Sequence, residues 1–335
     1  MINEFFRYRD SGGVATTLEL AKMKQSRKLA VNMLQQLVLA SGSEEDMTVI
    51  LELLQGSQDF EARLSFIQAI ITTLRESHRC RATFRKSGGF VYIVSILLSL
   101  DQTLGGGESE QLGRVLLLIR EVFNCLTTAM RFEPANARYF QVEIANGVML
   151  LESIQLLGCF STTSDDSYIV DSVNETPSEQ EVEVFEKIFS TQLKKLENLR
   201  SELHQTHSEL DVKLFNACVV IRMLYDMAID RYDRENPNPV VPRSPRASTS
   251  SDGCGSDTAS NPEKRKLVSV LNLSPPVPEP IIVHSGVVTT ILQLIPMIRG
   301  QSERYSVALQ IFSAQLLQSL LRTEKNQQVC ILAQE

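Results

Sequence analysis

The sequence lacks tryptophan altogether and is poor in aromatic residues, at 6%. The bulk of any core must therefore come from Leu, Ile and Val, the residues that stacked helices use. Nor do cations dominate: the formal net charge is -7 and the sequence pI is near 5.4. That balance argues against a general nucleic-acid grip, which needs clustered Lys and Arg to displace counterions. No CxxC pair occurs. The six cysteines stand apart at 80, 125, 159, 218, 254 and 330, and they read as buried, reduced thiols of a cytosolic protein. No apolar run reaches the roughly 18 residues of a membrane-span candidate, and no signal-type stretch follows Met1. HExxH, GxxxxGKS/T, GxSxG and a glycine fingerprint after a strand are all missing. The sequence thus predicts no enzyme, no cofactor and no metal site.

What the chain does have is self-similarity. Residues 74–100, LRESHRCRATFRKSGGFVYIVSILLSL, join a short polar helix pattern to an apolar run across Gly88 and Gly89. A glycine pair gives positive φ without cost and lets two backbones approach closely. The arrangement returns in residues 136–158, pivoting on Gly147. It returns again in PIIVHSGVVTTILQLIPMI on Gly286, and near the start in RYRDSGGVATTLELA on Gly12 and Gly13. Setting Gly89 on Gly147 places Phe90 on Val148, Ile93 on Leu151 and Ile96 on Ile154. NQQVCILAQE, from Asn326, reads as the opening half of a fifth copy cut short before its glycine. Recurrence of this kind marks an armadillo- or HEAT-like solenoid, whose units run roughly 40 to 47 residues. The predicted fold class is therefore all-α, an α-solenoid with disordered insertions, and the chain reads as a piece of a longer array.

In order, residues 1–160 read as helical repeats and 161–180 as an acidic loop. Residues 181–232 read as long helices continuing the array, 233–280 as a disordered Pro/Ser-rich insertion, and 281–335 as repeats ending within a copy. Leu112, Val115, Leu116, Ile119, Phe123, Leu126 and Met130 fall on one face of a long helix. Leu196, Leu203 and Leu210 recur every seven residues, as in a short coiled coil. Thr206 and Lys213 break that pattern, so paired repeat helices are the simpler reading.

Few residues suggest chemistry. Ser244 and Ser274 each precede a proline, and Arg243 and Arg246 flank the first. They fit proline-directed phosphorylation, which would add about -2 charge at each. His204 and His207, with Glu202 nearby, could share a helix face, but a metal needs more converging ligands. Cys80 lies among Arg79, Arg81 and Arg85, which would favour a thiolate; a buried structural thiol is the plainer reading. The basic run Arg79, Arg81, Arg85 and Lys86 would suit an acidic partner or RNA, and solvated helix-surface charge is its bland alternative. Lys264, Arg265 and Lys266 are too short a run for a nuclear address, though a nuclear pool stays open.

Several strings carry a resemblance: RESHRCRATFRKSGGFVYIVSILLSL, AMRFEPANARYFQVEIANG, LLGCFS, SGSEEDM and TEKNQQVC. They resemble the amino-terminal armadillo-like region of the BEACH family of WD-repeat and FYVE-domain scaffolds, either its autophagy-linked Alfy branch or the closely related immune-cell branch. The resemblance spans most of residues 41–330. It implies a very large cytosolic scaffold in selective macroautophagy of protein aggregates, with the autophagy machinery or cargo adaptors as protein partners. The alternative it implies is endosomal trafficking and antigen cross-presentation. The family's BEACH domain, WD40 propeller and phosphoinositide-binding FYVE finger have no counterpart in these residues, so no lipid-binding or zinc residue carries over. Membrane lipid would be reached only through those domains, and nucleic acid is not an expected partner. The implied location is cytoplasmic, with autophagosome or endosome association of the full-length protein.

Overall fold

The computed structural model describes residues 7–8, 11–106, 111–161, 177–232 and 280–332. Most of the acidic loop and of the Pro/Ser-rich insertion, with Ser244 and Ser274, lies outside the described residues. Among those described, every regular element is helical, and fifteen are α-helices. They run α1 Gly13–Lys22, α2 Arg27–Ser41, α3 Glu44–Gly56, α4 Phe60–Glu76, α5 His78–Lys86, α6 Gly89–Leu98 and α7 Leu112–Met130. Then come α8 Pro134–Tyr139, which passes into a π-helical turn Phe140–Ala145, α9 Met149–Leu156, α10 Glu179–Ser190, α11 Leu196–Thr206 and α12 Val212–Ala228. The last three are α13 Ser285–Leu294, α14 Glu303–Leu320 and α15 Glu324–Leu332. The described part of the protein is thus all-α, a solenoid of stacked helices.

Two rows of helices make the array. The long helices α2, α4, α7, α12 and α14 lie side by side in one row, and the shorter α3, α6, α9 and α13 form the second. Local signals set where helices start. Ser43 Oγ accepts from the Asp46 N–H at 3.2 Å and donates to the Asp46 carboxylate at 2.8 Å, while the Ser43 N–H goes to Ser41 Oγ at 3.2 Å, so this is a side-chain cap without the reciprocal bond of a capping box. Ser77 caps α5 by accepting from Cys80 N–H, and Ser178 with Glu181 opens α10 reciprocally.

The long helix α7 does not keep one face to water as its periodicity predicts. Every residue from 118 to 130 is buried, and so is every residue from 214 to 228 of α12. Polar groups survive there because they are paired. Arg120 Nη1 donates to Glu121 at 2.8 Å, and Glu121 accepts from Asn124 at 3.1 Å. On α12, Arg222 stands 3.7 Å from Asp226, with its guanidinium 5.0 Å from the centre of the Phe189 ring. The heptad leucines form no coiled coil: α11 ends at Thr206, before Leu210, and Leu196 and Leu203 turn into the array.

The turns between helices differ in kind. Gly12 and Gly88 are left-handed, at φ 75° and 72°, and start α1 and α6. The glycine after each gives room to an aromatic ring five residues upstream, since a Cβ on Gly13 would strike Tyr8 and one on Gly89 would strike Phe84. In the next copy the left-handed residue is Val148, at φ 67°, not Gly147. Gly147 is needed for another reason, because a Cβ there would run into the Glu143 carbonyl. Val148 stands eight residues after Phe140, whereas Gly88 stands four after Phe84, and the π-helical turn takes up the extra length. The register therefore corrects by two residues: Phe90 matches Leu150, Val94 matches Ile154 and Leu97 matches Leu157, all fully buried. Gly286 is not a hinge either. It lies inside α13, where a Cβ would come to 3.0 Å from that of Ala145, so its lack of a side chain lets α13 back onto the π-helical turn.

Candidate functional site

The basic run of α5 does not form a patch. Arg81 is 9% exposed, and its Nη1 donates to the Leu74 carbonyl at 2.7 Å. Burial pushes its guanidinium pKa down, with Glu133 pulling it back. Arg85 Nε donates to Asn136 Oδ1 at 3.1 Å, Lys86 pairs with Glu44 at 3.7 Å, and the Arg79 side chain lies over Gly42. Arg81 and Arg85 thus bind neighbouring helices and depart from the reading as solvated surface charge, whereas Arg79 and Lys86 are exposed, as that reading has them. Cys80 is fully buried with Sγ 3.8 Å from the Val38 carbonyl, as a structural thiol should be. Burial also holds the Cys125, Cys159 and Cys218 thiols well above their ordinary pKa.

His204 in α11 and His207 just past its end work apart. His207 Nδ1 shares a 2.8 Å hydrogen bond with the Tyr305 hydroxyl, while Glu202 pairs with Lys187 at 2.8 Å. Among the described residues, no three His, Cys, Asp or Glu side chains gather as metal ligands.

His204 instead faces a cleft of 910 Å³ that opens where three loops meet the start of α12. Its walls are tied by the backbone. Gln102 and Leu104 donate their N–H groups to Leu156 and Leu157 at 2.7 and 2.8 Å, and Ser161 N–H donates to Met297 at 2.7 Å. Asn216 of α12 reaches the Leu104 carbonyl at 3.0 Å. Asp211 is the knot: one carboxylate oxygen accepts from Leu214 N–H at 2.9 Å as the helix cap, and the other accepts from Gln301 N–H. Gly300 permits this, because a side chain there would meet Asp211 and Leu214. Its own N–H donates to Ser306 Oγ at 2.9 Å.

Around the mouth stand Lys213, His204, Ser208 and Arg299, over Phe160 and Leu210. Since both oxygens of Asp211 are held by main-chain amides, it orients neither His204 nor Ser208 as a catalytic carboxylate would. The lining offers charge, hydrogen bonds and an apolar floor to a bound chain. Sequence reasoning singled out His204 but missed Asp211 and Gly300. An Asp immediately before Val212, the apolar first residue of α12, was the one local signal for the cap.

A second groove, of 480 Å³, lies between α1 and α3, with Leu18, Val49, Leu53 and Phe66 on its walls and Glu52 on its rim.

Comparison with known proteins agrees with this geometry. Armadillo-like repeats, as a family, match residues 45–333. WD repeat- and FYVE domain-containing protein 4 of Mus musculus is 23% identical over 310 residues, which is 90% of this chain and 9% of that protein. The chain therefore spans less than a tenth of that relative's length. No solved structure matches. The family match begins inside α3 and runs past α15, so it takes in the greater part of both helix rows: the chain belongs to the armadillo-like repeat proteins.

Proposed function

We propose that this chain is a non-catalytic scaffold segment that works by protein–protein contact, within a large WD-repeat and FYVE-containing protein of the BEACH family. The match of residues 45–333 to armadillo-like repeats carries the reading, since stacked repeats present extended surfaces that other chains bind. The cleft around Asp211 is the place we assign to such a chain, because its loops are fixed in advance by main-chain hydrogen bonds. In the finer reading the segment serves selective macroautophagy of protein aggregates in the cytoplasm, with autophagy machinery or cargo adaptors as partners. The strings between residues 41 and 330 support this, and the mouse relative supports the family without choosing its branch. The same strings support the immune-cell branch, with a role in endosomal trafficking and antigen handling.

Proximity labelling tests both. The chain, fused to a biotin ligase in cells loaded with protein aggregates, is expected to enrich autophagy adaptors. Substituting Lys213→Glu and His204→Glu is expected to cut that labelling several-fold. Labelling confined to endosomal sorting proteins would move the reading to the second branch. Unchanged labelling by the substituted chain would remove the cleft from either.

A further inference from the structure

After residues 233–279, the chain runs from Pro280 to His284 as a short extended strap before α13 begins. Its residues alternate, with Ile281 and Val283 exposed and Ile282 and His284 buried. Four hydrogen bonds fasten it. The N–H groups of Val283 and His284 both donate to the Ala228 carbonyl at the end of α12, at 2.9 and 3.1 Å. Asn326 of α15 donates Nδ2 to the Pro280 carbonyl at 2.6 Å and accepts from Ile282 N–H at 3.0 Å. The strap thus joins α12 to the last helix described.

The imidazole at its end is poorly provided for. His284 is 6% exposed, and its Nε2 is buried without a hydrogen-bonding partner. The charged groups acting on it are Asp230, just past α12, and Arg131, at the end of α7. These are already bonded to each other: Arg131 Nε donates to Asp230 Oδ2 at 3.0 Å, and Nη2 donates to Oδ1. His284 also occupies the residue position just before α13, at the positive end of that helix dipole, where a cation is disfavoured. Burial lowers the imidazole pKa to about 4, with Asp230 pulling it back up and Arg131 pushing it down.

We propose that His284 is an acid-sensitive latch: a proton taken up at Nε2 creates a buried imidazolium without an acceptor, and the strap leaves Ala228 and Asn326 to carry the ring into water. The released strap no longer fastens α15 to α12, so acidification loosens that end of the array before the rest unfolds. The direction follows from linkage. A water-exposed histidine binds its proton near pH 6.5 and the buried ring only near pH 4. Closure is therefore fully stable above about 6.5 and weakens as pH falls toward about 4. At pH 5 the open form gains about 30-fold over its share at neutral pH.

Amide hydrogen exchange of the whole chain at pH 7.5 and pH 5, corrected for intrinsic rates, reads this directly. Protection of residues 281–290 is expected to drop about 30-fold, with α4 and α7 unchanged. His284→Gln and His284→Leu, neutral at both values, are expected to keep equal protection. An equal drop in either folded variant would overturn the latch. So would a drop shared by α4 and α7, which means unfolding of the whole. NMR titration of the His284 ring in the unmodified chain gives a second check that needs no substitution, and a pKa of 6 or more would also overturn it.

Discussion

Asn136 and Asn326 lie in different repeats, and the Nδ2 of each bridges two buried backbone carbonyls in the same way. Nδ2 of Asn136 donates to the Ala129 carbonyl at the end of α7 and to the Arg81 carbonyl, at 2.8 Å each. Nδ2 of Asn326 donates to the Leu320 carbonyl at the end of α14 and to the Pro280 carbonyl, at 2.6 Å each. Oδ1 accepts from Arg85 Nε in the first case and from Ile282 N–H in the second. Both amides are buried, at 0% and 1% exposure. Cys80 opens α5 at the corresponding place, with Sγ toward the Val38 carbonyl. Each short helix is thus fastened back onto earlier backbone by one polar group set in an apolar seam.

Removing that group leaves two buried carbonyls without donors, which costs more than the bonds contribute. Asn136→Ala and Asn326→Ala are each expected to lower stability by about 2–3 kcal/mol. Urea titration of the two variants checks this. A loss under about 0.5 kcal/mol would mean that water replaces the amide.

The Gly89 and Phe84 pair makes a sharper test. Gly89→Ala pushes a methyl group into the Phe84 ring, which is itself held against Phe90 at a centroid distance of 5.3 Å. The cost should be about 1–3 kcal/mol, as for other overpacked sites. Adding Phe84→Leu should recover part of it. A double-mutant cycle with no coupling would show that the ring does not need the glycine.

At Val148 the expected sign is reversed. A β-branched residue in the left-handed region is strained, and its side chain is 40% exposed, so Val148→Gly removes strain while losing little burial. Thermal unfolding should show a gain of about 0.5–1 kcal/mol. Gly147→Ala, one residue earlier, should lose about 2 kcal/mol or more, because the Glu143 carbonyl blocks a Cβ. If Gly147→Ala proves the milder change and Val148→Gly the harmful one, the turn is wrongly assigned.

Asp211 ties α12 to the loop at Gln301. Asp211→Ala should cost about 2 kcal/mol as a lost cap and a lost loop tie. Asp211→Asn, which still accepts one such bond, should cost roughly half as much. Hydrogen exchange at residues 299–302 separates the two roles, rising in the alanine variant if the loop tie is real.

Much of this was written in local sequence. The Ser43–Asp46 cap, the apolar stretch of α6 and the glycine pair before it depend on residues a few positions apart, so pattern reveals them. The likeness of the stretches starting at Asn136 and Asn326 was also readable, but its cause was not, because each amide reaches carbonyls that are distant in the chain as well as nearby ones. Arg120, Glu121 and Asn124 disguise the burial of α7, since they look like a wet face until their mutual pairing is seen. Val148 was masked by the glycine beside it. Asp211 and Gly300 meet only once the array is folded, which is why sequence reasoning reached the cleft through His204 alone.

The groove between α1 and α3 bears on how the array moves. Further along neighbouring repeats are joined through both rows, whereas among the described residues α1 packs mainly on α2 and leaves this groove against α3. Helix α1 is therefore held mainly along its α2 edge, like a page on its spine. Swinging of α1 about that edge would open or narrow the groove and so let this end of the ribbon suit ligands of different girth.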